Sequence, residues 1–379
     1  MREKVSYNGN RNGGKHYRKS AGGHKNSDKN GRQKSGSSAY RRNAAESSRG
    51  RKRTKNWKAR RRKILRRRFC AMMVALVVLV AGISLLITRL INDKGSNKSS
   101  GGTAEAKAEN LEIEVEKKKE VVEEPFVNIL DEDSSDITVT WDGPIEKSVY
   151  DQIDTNIRSQ IDLLTAEGYT VGFMLYDLNT GGGISYHADN VYYSASAIKG
   201  PYVAWVAQTY PDSALNMYST ISNTITWSSN SDYFALISNF GKSGFDSWAA
   251  GLGSGDCGIT DGSFAAINAR DFARLWINMY SYFMSGDETA GKIRDLYSDT
   301  LQSCIAEALG TTYTVYSKAG WIGEGQGTYY NVQNDAGIVM KPDHPYVLVI
   351  LSDAYGRLDL LDSLVACLDE CHTNLTLQE

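Results

Sequence analysis

A net charge of −1 over 379 residues conceals two unlike parts: residues 1–69 carry 25 of the 43 Lys and Arg but only 3 of the 44 Asp and Glu. The basic part is rich in Gly, Asn and Ser and poor in apolar residues, which excludes a packed core of its own because too little surface would be buried to offset chain entropy. The rest of the chain is acidic, and its last stretch of roughly 240 residues is long enough for one well-buried domain or two fused lobes.

Residues 1–68 are therefore expected to be a disordered tail. Its clusters Arg51-Lys52-Arg53 and Arg60-Arg61-Arg62-Lys63 could mark a nucleic-acid footprint, but they run directly into Phe69–Thr88, an uncharged and mostly apolar run long enough to span a bilayer. Basic residues stay on the cytoplasmic side. The expectation is an uncleaved, single-pass type II anchor within residues 69–91. The tail would lie against anionic lipid of the inner leaflet with no nucleic-acid partner, and the rest of the chain outside the cell membrane. A cleavable signal peptide fits less well, since the apolar run exceeds the usual length and no A-x-A-like site precedes the Arg89 to Lys94 stretch. Residues 92–139, rich in Ser, Gly, Lys and Glu, read as a linker, and residues 140–379 as the folded domain.

Within that domain, Ile145, Val149, Ile153, Ile157, Ile161 and Leu164 recur at helical spacing and stop at Gly168. Thr170–Asp177 and Gly183–His187 read as a hairpin joined at Asn179-Thr180-Gly181-Gly182. A buried helix is expected through Val203 to Val206, and a helix beginning at Asn230 through Ile237. Three further strands are expected at Tyr313–Ser317, Asp335–Met340 and Tyr346–Ser352, then a closing helix at Leu358–Cys371. This order implies an α+β fold: an antiparallel sheet flanked by helices from both ends of the domain, joined to a helical lobe. Cys257, Cys304, Cys367 and Cys371 allow three full disulfide pairings, and the sequence does not choose among them. Cys367, Cys371 and His372 could suggest a metal site, but burial or a disulfide accounts for them better on an apolar segment.

A serine hydroxyl needs a base to become nucleophilic at neutral pH. His187, His344 and His372 stand in no motif and there is no G-x-S-x-G, so a Ser-His-Asp triad has little support. Lysine can serve when burial and neighbouring cations lower its pKa, and residues i and i+3 share a helix face. Ser196-Ala197-Ile198-Lys199 meets that requirement and is the sole S-x-x-K in the chain. Ser228-Ser229-Asn230 supplies S-x-N. Lys318-Ala319-Gly320 follows a strand-like run, whereas Lys242-Ser243-Gly244, a more literal K-[ST]-G, falls in a turn between helical stretches.

The order S-x-x-K, S-x-N, K-[ST]-G resembles that of class A β-lactamases and penicillin-binding proteins. Asn268-Ala269-Arg270-Asp271, Asn334-Asp335-Ala336-Gly337-Ile338 and the hairpin before Ser196 extend the likeness from about Ile145 to the end. The resemblance implies the serine β-lactamase/DD-peptidase fold and a membrane-anchored serine hydrolase. Its substrate would be a β-lactam or the D-Ala-D-Ala end of a peptidoglycan stem peptide, with no cofactor and no metal. It implies Ser196 as nucleophile, Lys199 as base and Ser228 as relay between Lys199 and Lys318. Asn230, Ala319 and Gly320 would contact substrate, and the backbone N–H groups of Ser196 and Trp321 would form the oxyanion hole.

Three departures accompany it. The interval from Ser196 to Ser228 is short, so the helical lobe should be trimmed. Ala319 replaces a hydroxyl residue that helps bind the substrate carboxylate. No Glu occurs from Asn230 to Met284, where the family places its deacylation base; Asp256 and Asp261 are the nearby acids, each equally readable as a turn residue. The alternative function is a sensor that binds a β-lactam or wall peptide without turnover.

Overall fold

The computed structural model describes residues 121–122, 126–325 and 327–378. The expected tail, the apolar segment 69–91 with Cys70, and the linker as far as residue 120 lie outside the described residues. Among the described residues no helix is long and apolar enough to cross a membrane.

In chain order, β1 (Val121–Val122) pairs with β3 (Ile145–Glu146), and β2 (Thr138–Thr140) precedes helix α1 (Lys147–Ala166). Strands β4 (Val171–Asp177), β5 (Gly183–Tyr186) and β6 (Tyr192–Tyr193) lead through a 3-10 turn at Ala195–Ile198 into α2 (Lys199–Thr209). The helical lobe continues with α3 (Pro211–Asn216), α4 (Tyr218–Thr226), α5 (Asn230–Phe240) and α6 (Ser243–Gly251). After β7 (Ala266–Ile267) come α7 (Ala269–Phe283), α8 (Glu288–Arg294) and α9 (Cys304–Leu309), then β8 (Thr314–Ser317), β9 (Gly320–Ile322), β10 (Val332–Met340), β11 (Tyr346–Ser352) and α10 (Leu358–Thr376).

Among the described residues, seven strands form one antiparallel sheet in the order β2-β5-β4-β11-β10-β8, with β9 pairing the early part of β10. Both faces of its centre are covered, which is why β11 reads as the unbroken apolar run Val347-Leu348-Val349-Ile350-Leu351. Successive side chains still alternate. Phe173, Leu175, Leu348 and Ile350 join Ile153, Ile157, Ile161 and Leu164 of α1 and Leu361, Leu364 and Leu368 of α10 in one core. Met174, Val347, Val349 and Leu351 join Phe272, Trp276 and Met279 of α7 and the residues of α2 in the other. Helix α1 ends where Gly168, at φ +83°, takes the left-handed conformation that closes a helix. Helix α2 buries nine of its eleven residues, so it forms the axis of the lobe instead of an amphipathic surface helix.

Three features differ from the sequence reading. Residues 126–139, assigned to the linker, fold against the domain. There Ile129 is fully buried, β2 is the edge strand of the sheet, and Asn128 Oδ1 caps a 3-10 turn by accepting from Leu130 N at 3.0 Å. The closing helix runs five residues past Cys371, to Thr376. A two-stranded ribbon, β6 with β7, was not legible because each strand has only two residues. Cys257, Cys304, Cys367 and Cys371 are all free thiols, and the described residues contain no group of His, Cys, Asp or Glu fit to hold a metal ion. His372 Nε2 is instead 2.8 Å from Asp177 Oδ2, buried in the core shared by the sheet and α10.

Candidate active site

Ser196 lies half-buried in the 3-10 turn that opens α2, preceded by Ala195 at φ +45°. A non-glycine residue in that region is strained and persists only where its surroundings enforce it. Here the enforcement comes from both sides. Ser194 N donates to Ala265 O at 2.9 Å, while Asn334 Nδ2 donates to Tyr193 O at 2.8 Å and Asn334 Oδ1 accepts from Ser352 N at 3.2 Å. The turn is thereby tied to the sheet and to the loop before β7. Strand β9 closes over it so tightly that a Cβ on Gly320 would stand 2.7 Å from Ser196 N and 2.2 Å from Ala197 N. Only glycine fits at that crossing.

Lys199 is fully buried at the start of α2, and its Nζ donates to Ser228 O at 2.8 Å and to Asn230 Oδ1 at 2.6 Å. Ser228 occupies another left-handed position, φ +55°, in the turn between α4 and α5. Its neighbour Ser229 caps α5 by accepting from Asp232 N. Lys318 follows β8, whose pairing with β10 sets Ser317 opposite Gly337. Fully buried, it donates from Nζ to Ser228 Oγ at 3.2 Å and to Ala319 O at 2.6 Å, with the Trp321 ring centroid 5.6 Å away. Two lysines distant in sequence thus converge on one serine.

Burial holds Lys199 down to about 7; burial and the facing charge of Lys199 hold Lys318 down to about 7, against the attraction of Asp335. Lysines so shifted can exchange protons near neutral pH, which an exposed lysine cannot. Asp335 itself is pushed up to about 6 by burial, relieved by hydrogen bonds from Ser303 Oγ at 2.6 Å and Ile305 N at 3.0 Å to one carboxylate oxygen. The other oxygen, Oδ1, is buried without a hydrogen-bond partner.

The β-lactamase enzyme family matches the sequence over residues 156–217 and 207–361, more than half of the chain and all three motifs. The chain belongs to that family. It is a serine hydrolase of mixed α and β architecture. Among solved structures it is similar to the β-lactamase of Sphaerobacter thermophilus DSM 20745 (16% identity, TM-score 0.48, covering 57% of this chain and 95% of that one). It is also similar to PBP-A (17%, 0.49, 58% and 96%) and to a β-lactamase from Streptosporangium roseum (15%, 0.47, 59% and 99%). No curated protein matches it.

In this β-lactamase-family chain most of the residues singled out from the sequence share one site. Ser196, Lys199, Ser228, Asn230, Lys318, Ala319 and Gly320 come together, and Trp321 continues β9 beside Lys318. Lys242 stands apart at the start of α6, its Nζ donating to Gly262 O at 2.9 Å. Asp256 lies in a 3-10 turn at Gly255–Cys257 and Asp261 in the loop beyond it, both exposed. The groups that approach Lys199 from this side are aromatic: the Tyr233 and Phe264 ring centroids lie 5.6 and 5.8 Å from its Nζ. Sequence reasoning assigned no role to Tyr233, Phe264, Asn334 or Asp335. Asn334-Asp335 was visible as part of the family pattern, whereas nothing local marks Phe264, which is brought to the site by the β6–β7 pairing and by the hydroxyl of Tyr233 donating to Ser263 O at 2.9 Å.

Proposed function

We propose that the chain forms a serine ester with β-lactams or with D-Ala-D-Ala ends of wall peptides, in the manner of class A β-lactamases and penicillin-binding proteins. Ser196 Oγ attacks the carbonyl carbon and the C–N bond breaks. The serine proton passes to neutral Lys199 and, through Ser228, to the leaving nitrogen, with Lys318 holding the relay and adding positive potential. Backbone N–H groups of Ser196 and Trp321 receive the oxyanion, and Asn230 with the Ala319-Gly320 edge holds the substrate amide. The observation that carries this reading is the convergence of Lys199 and Lys318 on Ser228.

Release of the ester by water is expected to be slow. A general base contributes about 10²–10⁴ in rate, and the walls nearest Lys199 are the rings of Tyr233 and Phe264 while Asp256 and Asp261 face solvent. Intact-mass measurement of the full-length chain after brief exposure to benzylpenicillin should show one added penicilloyl group that decays slowly, absent in Ser196→Ala. An adduct that survives Ser196→Ala overturns the nucleophile. A persistent ester with no release at all favours the sensor. Asp256→Asn and Asp261→Asn slow release only if one of them positions the water.

In the cell we propose a type II arrangement, anchored by Phe69–Thr88 with the basic tail on anionic lipid of the inner leaflet and the hydrolase outside. External protease on intact cells should release the catalytic domain; digestion of the tail instead would reverse the orientation.

A further inference from the structure

Beside the nucleophile lies a connected array of aromatic rings that the acylation chemistry does not use. Phe264 is its hub, with centroids 6.1 Å from Tyr193, 5.6 Å from Tyr233 and 6.2 Å from Phe234. Tyr193, three residues before Ser196, meets Tyr330 edge-on at 4.9 Å and Tyr329 at 5.7 Å, and these two tyrosines lie 5.2 Å apart. The inner end reaches Lys199 through Phe264 and Tyr233, both within 6 Å of its Nζ. The outer end is open to solvent: Tyr329 is 52% exposed, Tyr330 44% and Phe234 43%. Core packing does not require exposed rings, and large apolar side chains left in water next to a reacting centre mark a binding surface.

The opposite wall is weak in anion recognition. Ala319 offers no hydroxyl, and the Lys318 ammonium is engaged by Ser228 Oγ and Ala319 O. With the amide held by Asn230 and the Ala319-Gly320 edge, the aromatic side is the apolar surface left for the rest of the substrate. We propose that Tyr193, Phe264, Phe234, Tyr329 and Tyr330 form the subsite for the acyl side chain, and that it selects acyl donors carrying a flat ring over donors with a flexible alkyl chain. A ring offers its whole face to edge-on and offset contacts at little entropic cost, whereas an alkyl chain must be ordered bond by bond. The proposal rests on acylation at Ser196.

The test uses the full-length chain and three penam acyl donors that differ only in the side chain: phenylacetyl, a straight alkanoyl of similar apolar area, and none (6-aminopenicillanic acid). Acylation rate constants are read by intact mass. The phenylacetyl donor should react about three- to tenfold faster than the alkanoyl donor, the scale of an aromatic contact, and the bare nucleus slower than both. In the double variant Tyr329→Ser/Tyr330→Ser and in Phe264→Leu the phenylacetyl-to-alkanoyl ratio should fall toward one. Tyr218→Ser, which alters an exposed ring outside the array, should keep the ratio of the parent. A ratio near one in the parent, or a ratio unmoved by the double variant, overturns the subsite while leaving acylation at Ser196 intact. Failure of all three donors to acylate Ser196 defeats the acyl-transfer reading and the subsite with it.

Discussion

Lys199 and Lys318 share Ser228, the first donating to its carbonyl oxygen at 2.8 Å and the second to its hydroxyl at 3.2 Å. Two buried ammonium groups on one residue repel, so their protons leave in two steps that belong to the pair. Acylation needs Lys199 neutral to accept the serine proton, a condition reached as pH rises through about 7. It needs Lys318 charged, a condition lost as pH rises through about 7. The acylation rate against pH should be a narrow bell centred near neutrality, checked with a penicillin stable over the range. Lys318→Met should lower the maximum and abolish the alkaline limb; a plain sigmoid in the parent would contradict the shared-proton arrangement.

Lys318 and Lys242 are separable by substitution. Lys318→Ala removes the group on Ser228 Oγ and should lower acylation by about 10²–10⁴, whereas Lys242→Ala removes a bond to the Gly262 carbonyl and should change it less than about threefold. A large loss for Lys242→Ala with Lys318→Ala near normal would reverse the motif assignment. Gly320→Ala, whose Cβ would meet Ser196 N and Ala197 N, should cost about 10²–10³ in acylation by displacing an oxyanion donor.

Asp335 links stability to pH. Its folded pKa, about 6, lies above the ordinary 3.8, so between these values the folded chain binds more protons than the unfolded one. Stability from this group is full below about pH 4 and falls as pH rises through about 6, by on the order of 3 kcal/mol. Asp335→Asn keeps an acceptor for Ser303 and Ile305 but cannot ionise. Urea unfolding at several pH values should show the difference, variant minus parent, growing in the variant's favour across that window. A constant difference would place the ionisation elsewhere. The same variant removes the carboxylate that favours charged Lys318, so the alkaline limb of its acylation bell should move to lower pH while the acid limb stays.

Arg270 pins the segment before β2 to the domain. Its guanidinium donates to Leu130 O at 2.6 Å, Glu132 O at 2.7 Å and Ser134 Oγ at 3.1 Å, and its Nε to Asp189 Oδ1 at 2.7 Å. Asp189 is well exposed, so the ion pair itself contributes little. The larger cost of Arg270→Met is the loss of donors to the part-buried carbonyls of Leu130 and Glu132 and the buried carbonyl of Ile129, about 3 kcal/mol in all. Denaturant unfolding and limited proteolysis should show a less stable domain newly cut within residues 126–136. Unchanged protection of that segment would show that β2 pairing alone secures it.

The elements that position the site were legible to different degrees. Helix α1 announced itself by the period of its one buried face, and strands β4, β5, β8, β10 and β11 because short apolar runs end at turn residues. The residues 126–139 did not, because they are held by distant partners, β5 and Arg270 among them, and polar linker-like composition conceals the buried Ile129. The ribbon of β6 with β7 is too short to have a period at all.

What the sequence by itself determined is the set of parts: a serine and lysine one turn apart, a capped S-x-N turn, a lysine after a strand, and the family to which they belong. These are local features, encoded within a few residues of each other. Tertiary structure alone decided the surroundings of those parts, because they arise from sheet register and loop closure between distant segments. Pairing β8 with β10 buries Lys318 beside Asp335 and aims it at Ser228. Pairing β6 with β7 helps to deliver Phe264 to Lys199, while Asp256 and Asp261, earlier in the same connection, stay in solvent. The lowered lysine pKa values come from that burial, and no tetrapeptide carries it.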